Sequence, residues 1–427
     1  MTFDRSMVMT FTRVYLGEIL GCLTFILDTG MIMSTRFFIH DVTCLDMYNY
    51  TICETLNEHH SQQILLQEKV ADLIATHRLI NVISLLLTGL FLGALTEVAG
   101  HKAGMSIGMF GYFINSICLT VSCVLRPSVT PVKYILIFAG VSVQGLFGER
   151  IVVLKNALAY SLTQEKTDHT QRQLVFQGVT FFGSFLACIG VSLPLEVNPQ
   201  KKSYFAIYLW LSVMSFLGLI LPLVVKSSPD SQSDVYETFK DDHPVAQNVD
   251  GTKLGNPDSV DDAIELSAIN DDNRKLIKSS KRINKNTPTT SRVRNTCSLL
   301  RAVWTNVVSI VLILFKGREF NNQTQILVLL FMVGYIGFVM QWYIEEIVLF
   351  TFLPPLNWRY FENSIQYVIY ALTASIYGVV VLPIIRKVAN LSDISVYILG
   401  KSAYTLSVTF MIIYPSKAWG IILYSIL

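Results

Sequence analysis

The chain has 427 residues, 52% of them hydrophobic and only 15% charged. Soluble domains carry roughly a quarter charged residues, so this composition excludes an ordinary soluble protein and points to a membrane with the lipid bilayer as solvent. The net charge of +2 suggests no nucleic acid or other polyanionic partner. The seven cysteines form no CxxC pair and no Cys/His cluster at metal-ligand spacing, so no metal or cofactor is expected. No nucleophile–base pair or phosphate loop stands out, and an enzyme is the least supported class.

A helix that spans a bilayer needs about 20 mostly apolar residues. Runs of that kind fall at 14–33, 79–98, 102–125, 133–155, 173–194, 203–225, 324–352, 362–385, 392–413 and 416–427. The first follows Arg5 and Arg13 and exceeds the ~7–15 residues of a signal-peptide core, so it reads as an anchoring helix. Residues 34–78 then read as an outer loop. They contain the sequon Asn49-Tyr50-Thr51 and the cysteines Cys44 and Cys53. Glycosylation at Asn49 and a disulfide between those cysteines both fit a lumenal or extracellular side.

Residues 226–297 are rich in Pro, Asn, Asp and Ser without a lasting hydrophobic period, the pattern of a disordered linker. Its second part, 274–301, carries nine Lys or Arg and no acid, which suits the anionic cytosolic leaflet. The stretch that follows, "SLLRAVWTNVVSIVLILF" at 298–315, has an apolar core of only about 13 residues, short for a span and better suited to a helix in the membrane interface. The organisation is therefore an all-α polytopic membrane protein: a six-helix bundle over 1–225, a cytosolic linker over 226–297, an interfacial amphipathic helix over 298–318 and a four-helix part over 319–427. The basic linker and the pair Arg386 and Lys387 place the N-terminus and linker in the cytosol. "YETF" at 236–239 and "DNRKLI" at 272–277 have the form of endosomal sorting signals, so a plasma membrane or an endosomal/lysosomal membrane is expected.

Residues at i, i+3, i+4 and i+7 share a helix face. The first segment so aligns Gly17, Gly21, Thr24 and Asp28. The fifth aligns Gln173, Gln177, Thr180 and Ser184, and the eighth Glu362, Gln366, Tyr370, Thr373 and Tyr377. Such faces line a central pathway or pack helices together. An intramembrane acid is a functional candidate by default, because burying a carboxylate costs a few kcal/mol unless it is partnered or protonated. Asp28, Gln173, Gln177, Thr180, Gln366 and Tyr370, with Gln144 of the fourth segment, are the candidate substrate and proton pathway. Glu149 and Arg150 read as a local pair near the inner end of the fourth segment, and Glu345 and Glu346 as outer headgroup residues.

"GALTEVAGHKAG", residues 93–104, is a polar island between the second and third segments. Its Gly93, Glu97, Gly100, His101 and Lys102 resemble the signature turn of the major facilitator superfamily, where glycines allow a sharp reversal and close helix contact and charged groups tie down helix ends. In that superfamily the turn is taken to hold the two halves together on the cytosolic side. "CETLNEHHSQQILLQEKVADLIATHRLI", "RQLVFQGVTFFGSFLACIG", "FTFLPPLNWRYFENSIQYVIYALTAS" and "LPIIRKVANLSDISVYILGKSAY", in this order, are similar to the proton-coupled folate transporter family, solute carrier family 46. The resemblance implies carriage of a small organic anion (folate-like, haem-like or peptidoglycan-derived) together with protons by alternating access. Departures from the family are Gln177 where its folate transporters carry an acid, His101 for an arginine, Glu97 for an aspartate, and Thr163 near a usual aspartate. The family's twelve-helix pattern implies two helices beyond Leu427, so the chain reads as a truncated six-plus-six arrangement. A non-transporting, receptor-like relative or an inactive fragment stands as the alternative.

Overall fold

The computed structural model describes residues 14–48, 50–54, 56, 59–125, 130–164, 169–197, 203–225, 301, 303–309 and 360–389, with scattered single positions between 324 and 409. Every regular element among the described residues is helical, and seven helical stretches are long and apolar enough to cross a membrane. They are α1 (Leu16–Met47), α2 (His60–Ala99), α3 (His101–Val124), α4 (Thr130–Leu146), α5 (Glu149–Gln164), α6 (His169–Val197), α7 (Tyr204–Val224), α8 (Tyr360–Ile376) and α9 (Leu382–Ala389). α4 and α5 together make one span, as do α8, a π-helical segment at Tyr377–Val381, and α9.

The chain divides into two compact units, Met1–Ser227 with Val307–Leu427, and Ser228–Asn306. In the first, α1 lies against α6, α5 and α7, while α3 packs on α7, α4 and α5. α1 is central because almost its whole length is apolar or small: Leu16, Leu20, Leu27, Met31, Met33, Phe37, Phe38 and Ile39 are all buried. Close approach depends on small residues. A side chain on Gly17 would strike the Ala157 backbone and Ser161, and one on Gly21 would strike Thr180 and Phe176.

Three expected boundaries are corrected. Residues 60–78 are not loop but the outer part of the 40-residue α2. Their buried positions Gln63, Leu66, Gln67, Val70 and Ile74 follow helical spacing, while Glu68, Lys69 and Asp72 are exposed; an amphipathic helix of this kind escapes a ruler for continuous apolarity. α1 likewise runs on to Met47, beyond the expected end at 33, because its outer half stays packed. There Tyr204 Oη donates to Asp41 Oδ2 at 2.6 Å, and Thr43 and Tyr134 share a hydrogen bond of 2.9 Å. Cys44 is bonded to Cys53, which lies on a short helix at Tyr50–Glu54. The third correction is in the fourth segment, expected as one helix over 133–155, which breaks at Phe147 and Gly148 between α4 and α5.

Arg301 and residues 303–309 are helical; the rest of the 298–318 segment, the linker at 226–297, Asn49, the 416–427 run and both sorting patterns lie outside the described residues.

Candidate functional site

The break in the fourth span sets up the site. Gly148 has φ +85° and Glu149 φ +48°, the left-handed region that residues with a side chain rarely enter. Gly148 donates its N–H to the Gly145 carbonyl at 2.9 Å, a tight turn, and α5 resumes as Val152 donates to Gly148 at 3.1 Å. Glu149 and Arg150 thus open a new helix within the span instead of ending an old one.

Arg150 Nη1 donates to Asp28 Oδ2 of α1 at 3.0 Å. The other carboxylate oxygen, Oδ1, accepts from Tyr112 Oη of α3 at 3.1 Å. The Asp28 side chain is 5% exposed whereas that of Arg150 is 37% exposed. Glu149 is buried, with the neutral side chain of Asn81 of α2 beside it. Asp28, Arg150 and Arg78 all act on Glu149 electrostatically, and Arg78 and Arg36 act on His77 in the same way. Four helices therefore bring Asp28, Glu149, Arg150, Tyr112, Asn81 and Arg78 together in the apolar interior. The reading of Glu149 and Arg150 as a local boundary pair is corrected: Arg150 is the partner of Asp28. Sequence spacing contained one clue, the Phe-Gly-Glu-Arg interruption of an apolar run.

Beside this cluster, Asn115 of α3 donates to the Gln144 side-chain oxygen, and both side chains are buried. The other pathway candidates do not converge on Asp28. Gln173 and Gln177 are exposed. Thr180 is buried against Gly21, its hydroxyl donating to the Gln177 carbonyl at 2.6 Å. Ser184 shares a 2.8 Å hydrogen bond with Thr29 of α1. Gly21 on α1 and Thr180 and Ser184 on α6 are thus packing positions between these two helices. On α8, Gln366 is buried with its side-chain oxygen unbonded, Glu362 is exposed, and Tyr370 sets its ring edge-on to Phe181 of α6, centroids 6.2 Å apart. Glu345 and Glu346 lie outside the described residues.

A second buried ion pair, which spacing did not reveal, ties the starts of α1 and α6. Arg172 Nη2 lies 3.0 Å from Glu18 Oε1. Ser161 of α5 donates to the same oxygen at 2.5 Å and accepts from Arg172 Nε at 2.8 Å.

At the signature turn the roles of the glycines separate. Gly100 has φ +89°, so the reversal from α2 to α3 requires it. A side chain on Gly93 would meet open space, which corrects its expected part in close helix contact. His101 Nδ1 lies 3.1 Å from Asn156 Oδ1 of α5. Lys102 Nζ donates to the Val225 carbonyl at 2.5 Å and lies 5.5 Å from the centre of the Tyr160 ring. A cation on the last carbonyls of α7 satisfies groups that have no partner within the helix. Glu97 is exposed.

Among curated proteins and among solved structures, nothing matches the chain. The family model of the Major Facilitator Superfamily matches residues 4–427. With that match over nearly its whole length and its multi-pass helical architecture, the chain belongs to the Major Facilitator Superfamily of membrane transporters.

Proposed function

We propose that the protein moves a small organic anion, folate-like, haem-like or peptidoglycan-derived, together with protons by alternating access, from outside the cell or from an acidic lumen into the cytosol. The observation that carries this reading is Arg150, held by the buried Asp28 yet 37% exposed. A guanidinium recognises carboxylate or phosphate in a fork geometry, so an incoming anion finds a cation already oriented by Asp28. Two carboxylates stand beside it, Asp28 and Glu149, and a change of charge in this cluster alters how strongly Arg150 is held. The ordered resemblance to solute carrier family 46 supports the same substrate classes.

The test is uptake of labelled anions of these classes by cells or vesicles carrying the full-length protein. Uptake is expected to saturate and to be faster at mildly acid than at neutral outer pH. A charge-assisted hydrogen bond contributes about 1.5–3 kcal/mol, so Asp28→Asn is expected to lower uptake at least about tenfold. No saturable flux of any of these anions in correctly localised protein would overturn the reading in favour of a receptor-like relative.

A further inference from the structure

We propose that Glu149 is the carboxylate that takes up the co-transported proton, while Asp28 remains the ionised partner of Arg150. This rests on the transport reading above and assigns the two acids different work. Both oxygens of Asp28 are committed, Oδ1 to Tyr112 and Oδ2 to Arg150. Protonating Asp28 would forfeit the charge-assisted bond to Arg150, a costly change for a carboxylate 5% exposed. The Glu149 side chain makes no such ion pair among the described residues: the neutral Asn81 lies beside it, and Arg150 and Arg78 act on it from further away than Arg150 acts on Asp28.

The backbone gives an independent reason. Glu149 is the one described residue other than glycine with positive φ, and Gly148 before it is positive as well. Residues in such conformations cost about 1–3 kcal/mol and gather where strain serves a function. Here the strained turn restarts the span with its first residue buried in the charge cluster. A continuous helix would avoid that strain.

The charged and titratable groups around Glu149 are Asp28 from α1, Arg78 from α2 with His77 beside it, Tyr112 from α3 and Arg150 next to it on α5. α4 contributes the neutral Gln144, and Arg172 of α6 is engaged by Glu18. In the transport cycle one proton from the outer or lumenal solution binds a Glu149 oxygen, balances one charge of the anion at Arg150, and is released to the cytosol. No other bond is made or broken.

Two measurements on the full chain test the assignment. In uptake assays, Glu149→Gln is expected to give flux that still saturates but no longer rises with outer acidity, whereas Asp28→Asn loses saturable flux. In infrared titration of the purified protein, a carboxylic-acid carbonyl band is expected that vanishes in Glu149→Gln and persists in Asp28→Asn. Acid-stimulated uptake retained by Glu149→Gln would overturn the assignment and leave the transport reading standing. If the wild-type protein moves none of the anions, the transport reading fails and the infrared band alone decides: its loss in Glu149→Gln supports the assignment, and its persistence overturns it. Should Glu149→Gln not fold, Glu149→Asp must shift the band, and an unshifted band overturns the proposal.

Discussion

Asp28 and Arg150 are 122 positions apart and meet at 3.0 Å, while Glu149, adjacent to Arg150, lies beside the neutral Asn81 of α2. Neighbours in sequence can thus serve different partners when a helix starts between a glycine in the left-handed region and the next turn. Glycine roles separate in the same way at the 93–104 turn. Gly100 has φ +89° and ψ 160°, a region that side chains penalise by about 1–3 kcal/mol, whereas the space beside Gly93 is open. Gly100→Ala is therefore expected to lower thermal stability in detergent by a cost of that size and Gly93→Ala to leave it nearly unchanged; equal effects would show that the turn is governed by something other than its dihedral angles.

Among the elements, α2 shows how far a 40-residue helix reaches beyond the ~30 Å core of a bilayer, at 1.5 Å of rise per residue. Its outer turns are held by an amphipathic stripe and not by lipid. The crossing of α6 with the span made by α8, the π-helical segment and α9 has a different basis. A side chain on Gly378 would come within 3.0 Å of the Gly178 Cα, and one on Gly178 within 2.9 Å of the Val379 backbone nitrogen. Gly378 lies in the π-helical segment Tyr377–Val381, and such segments in helices are frequent at functional positions. Overpacking costs about 1–3 kcal/mol, so Gly378→Ala is expected to lower the unfolding temperature and slow uptake, while Val380→Ala, at a position 47% exposed, serves as the neutral comparison. A Gly378→Ala protein as stable and active as the wild type would show that the two spans separate without consequence.

At the scale of the whole molecule, the orientation proposed from the basic residues makes Asn49 the one sequon exposed to the glycosylation machinery. The sequons at Asn322 and Asn390 then face the cytosol, provided that 298–315 lies in the interface. Single Asn→Gln changes read by endoglycosidase-sensitive mass shifts test this. Loss of the glycan in Asn49→Gln alone is the expected result, and a glycan on Asn322 or Asn390 would reverse every later loop, placing Arg386 and Lys387 outside against the positive-inside rule.

What the amino-acid order determined without help is the membrane class, the place of the first six spans to within several residues at most ends, the reversal at Gly100 and the presence of a carboxylate, Asp28, within the apolar run of α1. All of these depend on properties local in the chain: a run long enough to cross lipid, a glycine between charges, a carboxylate among apolar neighbours. Tertiary structure alone decided which of the polar positions meet. Gln173, Gln177, Thr180 and Ser184 share a helical face, yet only Thr180 and Ser184 meet α1, where Gly21 and Gly183 allow close approach, while Gln173 and Gln177 stay exposed. Glu18 met Arg172, and Asp28 met Arg150 and Tyr112, through contacts between helices far apart in sequence. Spacing along one helix states which side chains share a face; it does not state which helix that face will find, and a buried charge is acceptable only where such a partner arrives.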